Sequence, residues 1–382
     1  MRSREGLFKS FFLGGFECST HRNRSGRRLD LIEATGHDRH SLSDYARLRQ
    51  HGIRTVRDGI RWHLIEQRPG RYDFSSAMPL ISAARATGMQ VVWDLCHYGW
   101  PDDLDIFSPE FIPRFARLAR AFARLLADET DDTPLIVPVN EISFFSWAGA
   151  TVGIFNPFAT GRGHELKVQL VRASIEAIEA FWSVAPHARI FHTDPMVNIV
   201  PDPARPEDRE AAEGYNRAQF DGWDMLAGRL RSDLGGDPKY LDVIGVNYYP
   251  HNQWFYPGGE GSMMDRSHPL YRPARELLIQ VYKRYGRPIF ISETGTEDEE
   301  RPGWLRYVCG EAYAAMNAGV PIEGICLYPI VNHPGWEDDR HCHNGLCDYA
   351  DEEGEREVFF PLAQELQHWR RIFEDSMAAG PR

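Results

Sequence analysis

The chain has 382 residues, 42% of them hydrophobic, so it is long enough to bury a large core. Its formal net charge is −12 and its acidic residues are spread along the chain, which argues against a basic face for nucleic acid. Because the sequence contains no apolar run near the ~20 residues of a membrane span, we expect neither nucleic acid nor a membrane as a partner.

The N-terminal stretch MRSREGLFKSFFLGGFECS superficially resembles a secretion signal, since basic residues precede an apolar patch. The patch is short, contains Lys9 and lacks a small-residue cleavage site, so we interpret it as the first strand. The cysteines lack the dense spacing of a disulfide scaffold, and several lie inside apolar strand runs. We therefore expect buried thiols in a reducing cytoplasm: Cys18, Cys96, Cys309, Cys326, Cys342 and Cys347.

Short apolar runs alternate along the chain with longer segments of helical period. The predicted strands are 11–18, 53–60, 89–97, 135–141, 188–194, 241–249, 287–293 and 322–331. The predicted helices are 41–51, 76–87, 109–128, 164–185, 206–231, 272–285, 302–318 and 361–374. Ser108-Pro109-Glu110 has a helix start signal, and Gly52 and Gly88 stand where helices should end.

Eight β-α units without a Gly/Ser linker predict an α/β fold, a single (β/α)8 TIM barrel domain covering residues 1–382. A doubly wound open sheet is the main rival, and it would be expected to carry a Gly-rich phosphate turn after an early strand. Gly14 and Gly15 lie within the first strand and lack that spacing, so the barrel is favoured.

Two buried strands end in carboxylates. LIVPVNEIS (135–143) delivers Asn140-Glu141 at its tip, and RPIFISETG (287–295) delivers Glu293. In a barrel, strand ends and the loops after them build the active site at one mouth, so Glu141 and Glu293 are expected to face each other. Other predicted strand ends are also polar: Arg57, Asp58, His97, Asp194, Asn247 and Tyr249.

Two carboxylates across an aromatic-lined mouth suit glycosidic bond cleavage, in which one protonates the leaving oxygen and the other attacks the anomeric carbon or directs water. Asn140 can reach a sugar hydroxyl, and Arg57 can hold Glu293 ionised, as a nucleophile requires. Asn247 and Tyr249 are two residues apart and share a strand face, so Tyr249 could hydrogen-bond the nucleophile. Four tryptophans lie in loops at the same end: Trp100, Trp147, Trp254 and Trp336.

The motifs resemble those of the retaining β-glycosidases of glycoside hydrolase clan A, closest to family 1. VNEIS resembles the family's Asn-Glu-Pro motif, ISETG its Thr-Glu-Asn-Gly motif, and VRDGIRW, CHYGWP and GVNYYP its segments at strands 2, 3 and 6. The resemblance implies Glu141 as acid/base and Glu293 as nucleophile. It also implies supporting roles for Asn140, His97, Arg57 and Tyr249, and it covers nearly the whole chain in order.

The sequence departs from the family pattern at residues expected to touch the sugar. Tyr328 replaces the usual Trp of strand 8, and the family's Glu-Trp clamp is Gly335-Trp336 here, with Glu337 displaced by one. His21 stands near the position of the family's sugar-binding Gln. Tyr328, Trp336, Glu337 and His21 are therefore expected to contact the substrate in an altered way, and a 6-phosphosugar is disfavoured.

Alternatives remain open. DDRHCHNGLC (338–347) offers His341, Cys342, His343 and Cys347 as zinc ligands, but the spacing fits no structural zinc pattern and we favour a polar loop without metal. No cofactor is expected, and a small carbohydrate is the expected partner; a homo-oligomer stays open. A transglycosidase with the same nucleophile and a non-hydrolytic sugar-binding barrel are the competing functions.

Overall fold

The computed structural model describes residues 6–259 and 261–379, and the side chains up to residue 376. Eight parallel strands of this part of the chain close into a barrel in which each pairs with the next in sequence and the last pairs with the first. They are β1 Phe12–Gly15, β2 Thr55–Gly59, β3 Gln90–Cys96, β4 Leu135–Val139, β5 Arg189–Pro195, β6 Val243–Asn247, β7 Ile289–Thr294 and β8 Ile322–Leu327.

Helices surround the strands. They are α1 Leu31–Ala34, α2 His37–Gln50, α3 Trp62–Ile65, α4 Met78–Thr87, α5 Phe111–Glu129, α6 Ile142–Ser146, α7 Gly163–Trp182, α8 Arg209–Ala218, α9 Asp221–Leu226, α10 Ala274–Tyr285, α11 Arg301–Asn317 and α12 Phe360–Ala379. A parallel ribbon of Asn198–Pro201 and Gln253–Tyr256 lies outside the barrel. Two short antiparallel pairs follow β8: His333–Pro334 with His341–Cys342, and Cys347–Ala350 with Arg356–Val358.

The alternation of side chains along each strand divides the core into two layers. Inward-facing residues such as Leu13, Val92 and Phe290 form one buried cluster inside the barrel. Outward-facing neighbours such as Trp93 and Ile291 belong to a larger cluster that includes the apolar faces of the helices. Side chains therefore fill the barrel interior, and a large cavity lies at the carboxyl ends of the strands.

The barrel predicted from the sequence is confirmed, and each predicted strand and helix has a counterpart. The prediction of one continuous helix over 206–231 was wrong, because Gln219 and Phe220 separate two helices, α8 and α9. At this break the Gln219 amide pairs with both backbone groups of Val197, at 3.0 and 3.2 Å, and this pairing holds the turn against the ribbon. The cysteines of the described chain are buried and unpaired, as predicted. None of the described helices combines the length and apolarity needed to cross a bilayer.

A buried polar cluster ties α2 to the barrel. His37 lies between Asp44, 2.8 Å from Nδ1, and Asp58 of β2, 2.8 Å from Nε2, and all three side chains are inaccessible to solvent. Burial alone would lower the pKa of His37, but the charges and hydrogen bonds of Asp58 and Asp44 outweigh it and raise the pKa to about 9. Arg356 pairs with Asp44 at 2.6 Å and extends the cluster to the C-terminal strands.

We expect the His37 imidazolium to stabilise the fold in a pH-dependent way. Its contribution is complete below the pKa of an unfolded histidine, near 6.5, and is lost as the pH rises through about 9, which amounts to about 3 kcal/mol. Denaturant unfolding across this range should therefore show a steeper loss of stability in the wild type than in His37→Gln. His187→Gln, at an exposed position, should keep the wild-type dependence. Parallel curves for wild type and His37→Gln would contradict this assignment.

Candidate active site

Glu141 and Glu293 line one cavity of about 720 Å³ at the carboxyl ends of the barrel strands. Glu293 lies within β7, whereas Glu141 follows the end of β4 by two residues. Both side chains are more than nine-tenths buried, with relative exposures of 8% for Glu141 and 5% for Glu293. The expectation that the two carboxylates share one mouth therefore agrees with the structure.

The chain turns sharply at Glu141, whose backbone lies in the left-handed region. Strand β4 ends at Val139, two residues earlier than predicted, and Glu141 has a φ of 49° and a ψ of 61°, which non-glycine residues seldom adopt. Its N–H donates to the Thr193 carbonyl at 3.0 Å, and the Asp194 carboxylate accepts from the Ser143 N–H at 2.9 Å. Neighbouring strand β5 thus stabilises an unfavourable backbone conformation that aims the Glu141 side chain into the cavity.

Neutral donors hold the Glu141 carboxyl group. The Tyr98 hydroxyl donates to Oε2, and the Asn247 amide donates to Oε1 at 2.8 Å. Burial raises the pKa of Glu141 well above its ordinary value, and the negative charge of Glu293 raises it further, while the two hydrogen bonds act in the opposite direction. Glu141 is therefore the carboxyl group of the cavity that keeps a proton.

A cation and a phenol hold Glu293. Arg57 Nη1 donates to Oε1 at 2.7 Å, and the Tyr249 hydroxyl donates to Oε2 at 2.9 Å. Arg57 is completely buried, so its ion pair with Glu293 is little screened by water. The contacts expected from Arg57 and Tyr249 are both present, although Tyr249 lies beyond the end of β6 rather than on the strand.

Arg57 also hydrogen-bonds to residues of two neighbouring strands, Asp94 of β3 and Asn140 at the end of β4. Its Nε and Nη2 donate to the Asp94 carboxylate at 3.1 and 2.7 Å, and Nη2 donates to Asn140 Oδ1 at 2.5 Å. Asn140 Nδ2 lies 3.0 Å from His97 Nε2 and donates to the Tyr98 hydroxyl at 2.9 Å. Because His97 Nδ1 faces Asp94 at 2.8 Å, it carries the proton there and Nε2 accepts from Asn140.

The outer part of the cavity has aromatic walls. Trp147, Trp254 and Trp336, which were predicted at this end of the barrel, line it together with Phe144. Trp100 does not, because it is buried and donates its indole N–H to the Leu104 carbonyl at 2.8 Å.

His21 lies directly behind the cavity wall. It is completely buried, with ring centroids 4.5 Å from Trp336 and 4.7 Å from Phe155. Neither ring nitrogen has a hydrogen-bond partner among the described residues, and burial lowers the pKa of His21 to about 3. His21, which was predicted to contact the substrate, is therefore a buried neutral imidazole that does not line the cavity.

Several predicted substrate contacts are not among the residues that line the cavity: Tyr328, Glu337, Asn140, Arg57 and Asn247. Tyr328 is buried in the barrel interior, where the Arg57 guanidinium stands 5.4 Å from its ring centroid. Glu337 is exposed on the loop after β8 and accepts from the Arg24 N–H at 3.4 Å. A Gly335 N–H to Arg340 carbonyl bond of 2.8 Å closes that loop, which directs Glu337 outward.

The cysteines of the loop 338–347, which was considered as a possible zinc site, do not lie close to its histidines. His341, His343 and Asp348 approach one another within 4.8 Å, and His341 Nε2 lies 2.7 Å from Asp348. In the described chain, neither Cys342 nor Cys347 joins this group; both are buried. The absence of a bound metal stays a prediction.

Sequence reasoning missed three residues of the site: Tyr98, Asp94 and Glu17. Asp94 gave a signal, because a lone acid within the apolar run MQVVWDLCH is costly unless it is paired. Tyr98 adjoins His97, and Glu17 follows β1 by two residues at the same mouth, but neither position shows in sequence which group it contacts.

Known proteins share this architecture. No protein-family model matches the chain. A curated β-galactosidase of Sulfolobus acidocaldarius is 22% identical over 286 residues, which cover 65% of this chain. The chain spans about half the length of that relative, since 55% of it is covered.

Solved structures align over nearly the whole chain. A β-glucosidase from Thermotoga maritima in complex with glucoimidazole aligns with a TM-score of 0.77 at 16% identity, covering 97% of this chain and 99% of that chain. A family 1 β-glucosidase structure from the same organism gives a TM-score of 0.75, also at 16% identity, covering 97% of this chain and 98% of that chain. These likenesses confirm the (β/α)8 fold.

Replacing Tyr98 with Phe is expected to raise the pKa of Glu141. The lost hydrogen bond favours the ionised carboxylate, so its removal should raise the pKa of Glu141 further. Carbon-13 NMR titration of glutamate-labelled protein, with the Glu141 resonance assigned from Glu141→Gln, measures the change. Tyr215→Phe, at an exposed tyrosine of the same cavity, should leave the Glu141 titration unchanged. A lower or unaltered pKa in Tyr98→Phe would refute the donor role.

Proposed function

We propose that this protein is a retaining β-glycosidase of the clan A, family 1 type, acting on small glycosides or oligosaccharides. One observation carries the proposal: two buried carboxyl groups face one cavity in opposite electrostatic environments, Glu293 paired with Arg57 and Glu141 held by neutral donors. The names of the β-galactosidase relative and the β-glucosidase neighbours support the same activity.

The first step uses the two carboxyl groups together. Glu293 attacks the anomeric carbon as its bond to the leaving oxygen breaks, and Glu141 gives its proton to that oxygen. A covalent glycosyl ester of Glu293 and the free aglycone are formed. Arg57 and Tyr249 orient the Glu293 carboxylate so that one oxygen faces the sugar.

The second step reverses the roles. Glu141, now ionised, takes a proton from water, and the resulting nucleophile attacks the anomeric carbon and releases Glu293. Two inversions at the same carbon give net retention. Asn140 stands between Arg57 and His97 at the mouth, where it can bind a sugar hydroxyl beside the reacting carbon.

The size and lining of the cavity agree with such substrates. A volume of about 720 Å³ lies within the range of small-ligand sites. The flat side chains of Trp147, Trp254 and Trp336 offer faces on which a sugar ring or an aromatic aglycone can stack. We further infer that the chain acts as one domain in the cytoplasm, which its unpaired buried thiols support.

Hydrolysis of aryl β-glycosides with retention is the expected result, and proton NMR of the first-formed anomer measures it. Glu293→Gln should lower kcat by about a thousandfold or more, because an amide cannot act as the nucleophile that forms the glycosyl ester. Glu299→Gln, an exposed carboxylate on the turn after β7, should retain activity. Sugar binding without turnover by the wild type would favour a non-hydrolytic barrel, and glycosides formed from added alcohols in preference to hydrolysis would favour a transglycosidase.

Azide rescue assigns the two carboxyl groups separately. Glu293→Gly with azide should give a glycosyl azide of inverted configuration, because azide replaces the nucleophile. Glu141→Gly should instead form the glycosyl ester and release a retained azide. The reverse pattern of products would overturn the assignment of Glu141 and Glu293.

A further inference from the structure

A third carboxylate lines the same cavity. Glu17 follows the end of β1 by two residues, and the Phe16 N–H donates to the Arg57 carbonyl at 2.9 Å, which continues the pairing with β2 up to the mouth. The side chain is 8% exposed, as buried as Glu141. None of the catalytic steps derived above uses Glu17.

The Glu17 carboxylate is held by one oxygen. Its Oε1 accepts from the Ser19 N–H at 2.9 Å and from the Ser19 hydroxyl at 2.5 Å. His97 Nε2 is 3.9 Å from the same oxygen, beyond hydrogen-bond distance. Oε2 accepts no hydrogen bond from the described residues. The two hydrogen bonds from Ser19 therefore fix the orientation of the carboxylate and leave Oε2 as a free acceptor at the cavity.

Among the described residues, Glu17 forms no ion pair with a lysine or an arginine, and the nearest basic atom recorded is His97 Nε2, 3.9 Å from Oε1. Arg57 is paired with Asp94 and Glu293, and Lys167, which lines the same cavity, pairs with Asp221 at 3.5 Å. Oε2 is not among the side-chain oxygens that are shut off from solvent without a partner, so it is accessible from the cavity and a bound group can donate to it. An ionised carboxylate is a pure acceptor, which restricts that group to one carrying an O–H or N–H.

The negative charge of the cavity further restricts which glycones can bind. Glu17 and Glu293 both line the cavity, and no described hydrogen bond joins Glu17 to Glu293 or Glu141. A glycone carrying its own carboxylate or phosphate would be repelled at short range in a poorly screened site. A hydroxyl or an ammonium group would be attracted.

We propose that Glu17 determines the glycone specificity of this enzyme: its free oxygen accepts a hydrogen bond from a hydroxyl or ammonium group away from the reacting carbon, and acidic glycones are excluded. This inference rests on the proposed glycosidase function. Glu17 lies 3.9 Å from His97 and lines the same cavity as Trp336, so we assign it to sugar binding rather than to the pair that performs the chemistry.

Three aryl β-glycosides test this assignment: the 4-nitrophenyl glucoside, its 6-amino-6-deoxy analogue and the glucuronide. The wild type should prefer the first two to the glucuronide. Glu17→Gln keeps the acceptor that binds Ser19 but replaces the free oxygen with an NH₂ donor. Its kcat/KM on the preferred substrate should therefore fall about ten- to a hundredfold, and its discrimination against the glucuronide should shrink.

The pattern of losses identifies the donor. A larger loss on the amino glycoside identifies an ammonium group, whereas a loss at least as large on the neutral glucoside identifies a hydroxyl. A change of less than twofold on all three substrates, or a wild-type preference for the glucuronide, overturns the proposal. Because the readout is a ratio between substrates, a partly unfolded variant would not mimic it.

Two further variants complete the test. Glu337→Gln removes an exposed carboxylate outside the cavity and should leave all three ratios unchanged. Ser19→Ala removes the hydroxyl that donates to Glu17 but keeps the backbone N–H donor. It should therefore lower kcat/KM in the same direction as Glu17→Gln, but by less. If Glu17→Gln does not fold, unchanged ratios in Ser19→Ala overturn the proposal.

Failure of the proposed function can be told apart from failure of this inference. Turnover of a wider panel of neutral aryl glycosides by the wild type establishes the glycosidase independently of Glu17. If the wild type turns over none, the glycosidase proposal fails. Saturation-transfer NMR with glucose, 6-amino-6-deoxyglucose and glucuronic acid then tests Glu17 alone, and equal binding of all three by wild type and Glu17→Gln refutes its role.

Discussion

The rest of the site depends on the ion pairs that the buried Arg57 guanidinium forms with Asp94 and Glu293. The guanidinium bridges Asp94 and Glu293 and reaches Asn140, so residues from β2, β3 and β7 and from the end of β4 converge on one planar group. A buried charge is tolerated only when its donors are satisfied, and here two carboxylates and an amide satisfy them. The positions of these side chains are therefore coupled: a change in one leaves the others with an unpaired charge.

The same pairing explains why two glutamates of one cavity behave differently. Arg57 and Tyr249 provide Glu293 with a cation and a phenol, whereas Glu141 receives only neutral donors and lies in the field of Glu293. Burial raises the pKa of Glu141, and the neighbouring negative charge adds to that effect. In the proposed reaction, the assignment of Glu293 as nucleophile and Glu141 as acid thus follows from the position of Arg57 on β2, beside Glu293.

Much of this arrangement could be predicted from the sequence. Alternation of strands and helices predicts the barrel, and the barrel brings Glu141, Glu293 and Arg57 to one mouth. Loop geometry could not be predicted, because it depends on tertiary contacts. The left-handed turn at Glu141 is held by β5, and the same kind of backbone at Tyr98, with a φ of 68°, places its hydroxyl on Glu141. For the same reason the outward position of Glu337 was not foreseen.

The contrast between strands and loops also separates chemistry from specificity. The groups around Arg57 come from strand positions whose register is fixed by the closed barrel, so they have little freedom to change. Glu17 is held instead by Ser19 on the segment just after β1, and no strand partner fixes its side chain. Substitution at Glu17 alters the charge presented to the sugar without breaking the ion pairs of Arg57. A barrel of this kind can therefore acquire a new glycone preference at its loops while the reaction stays the same.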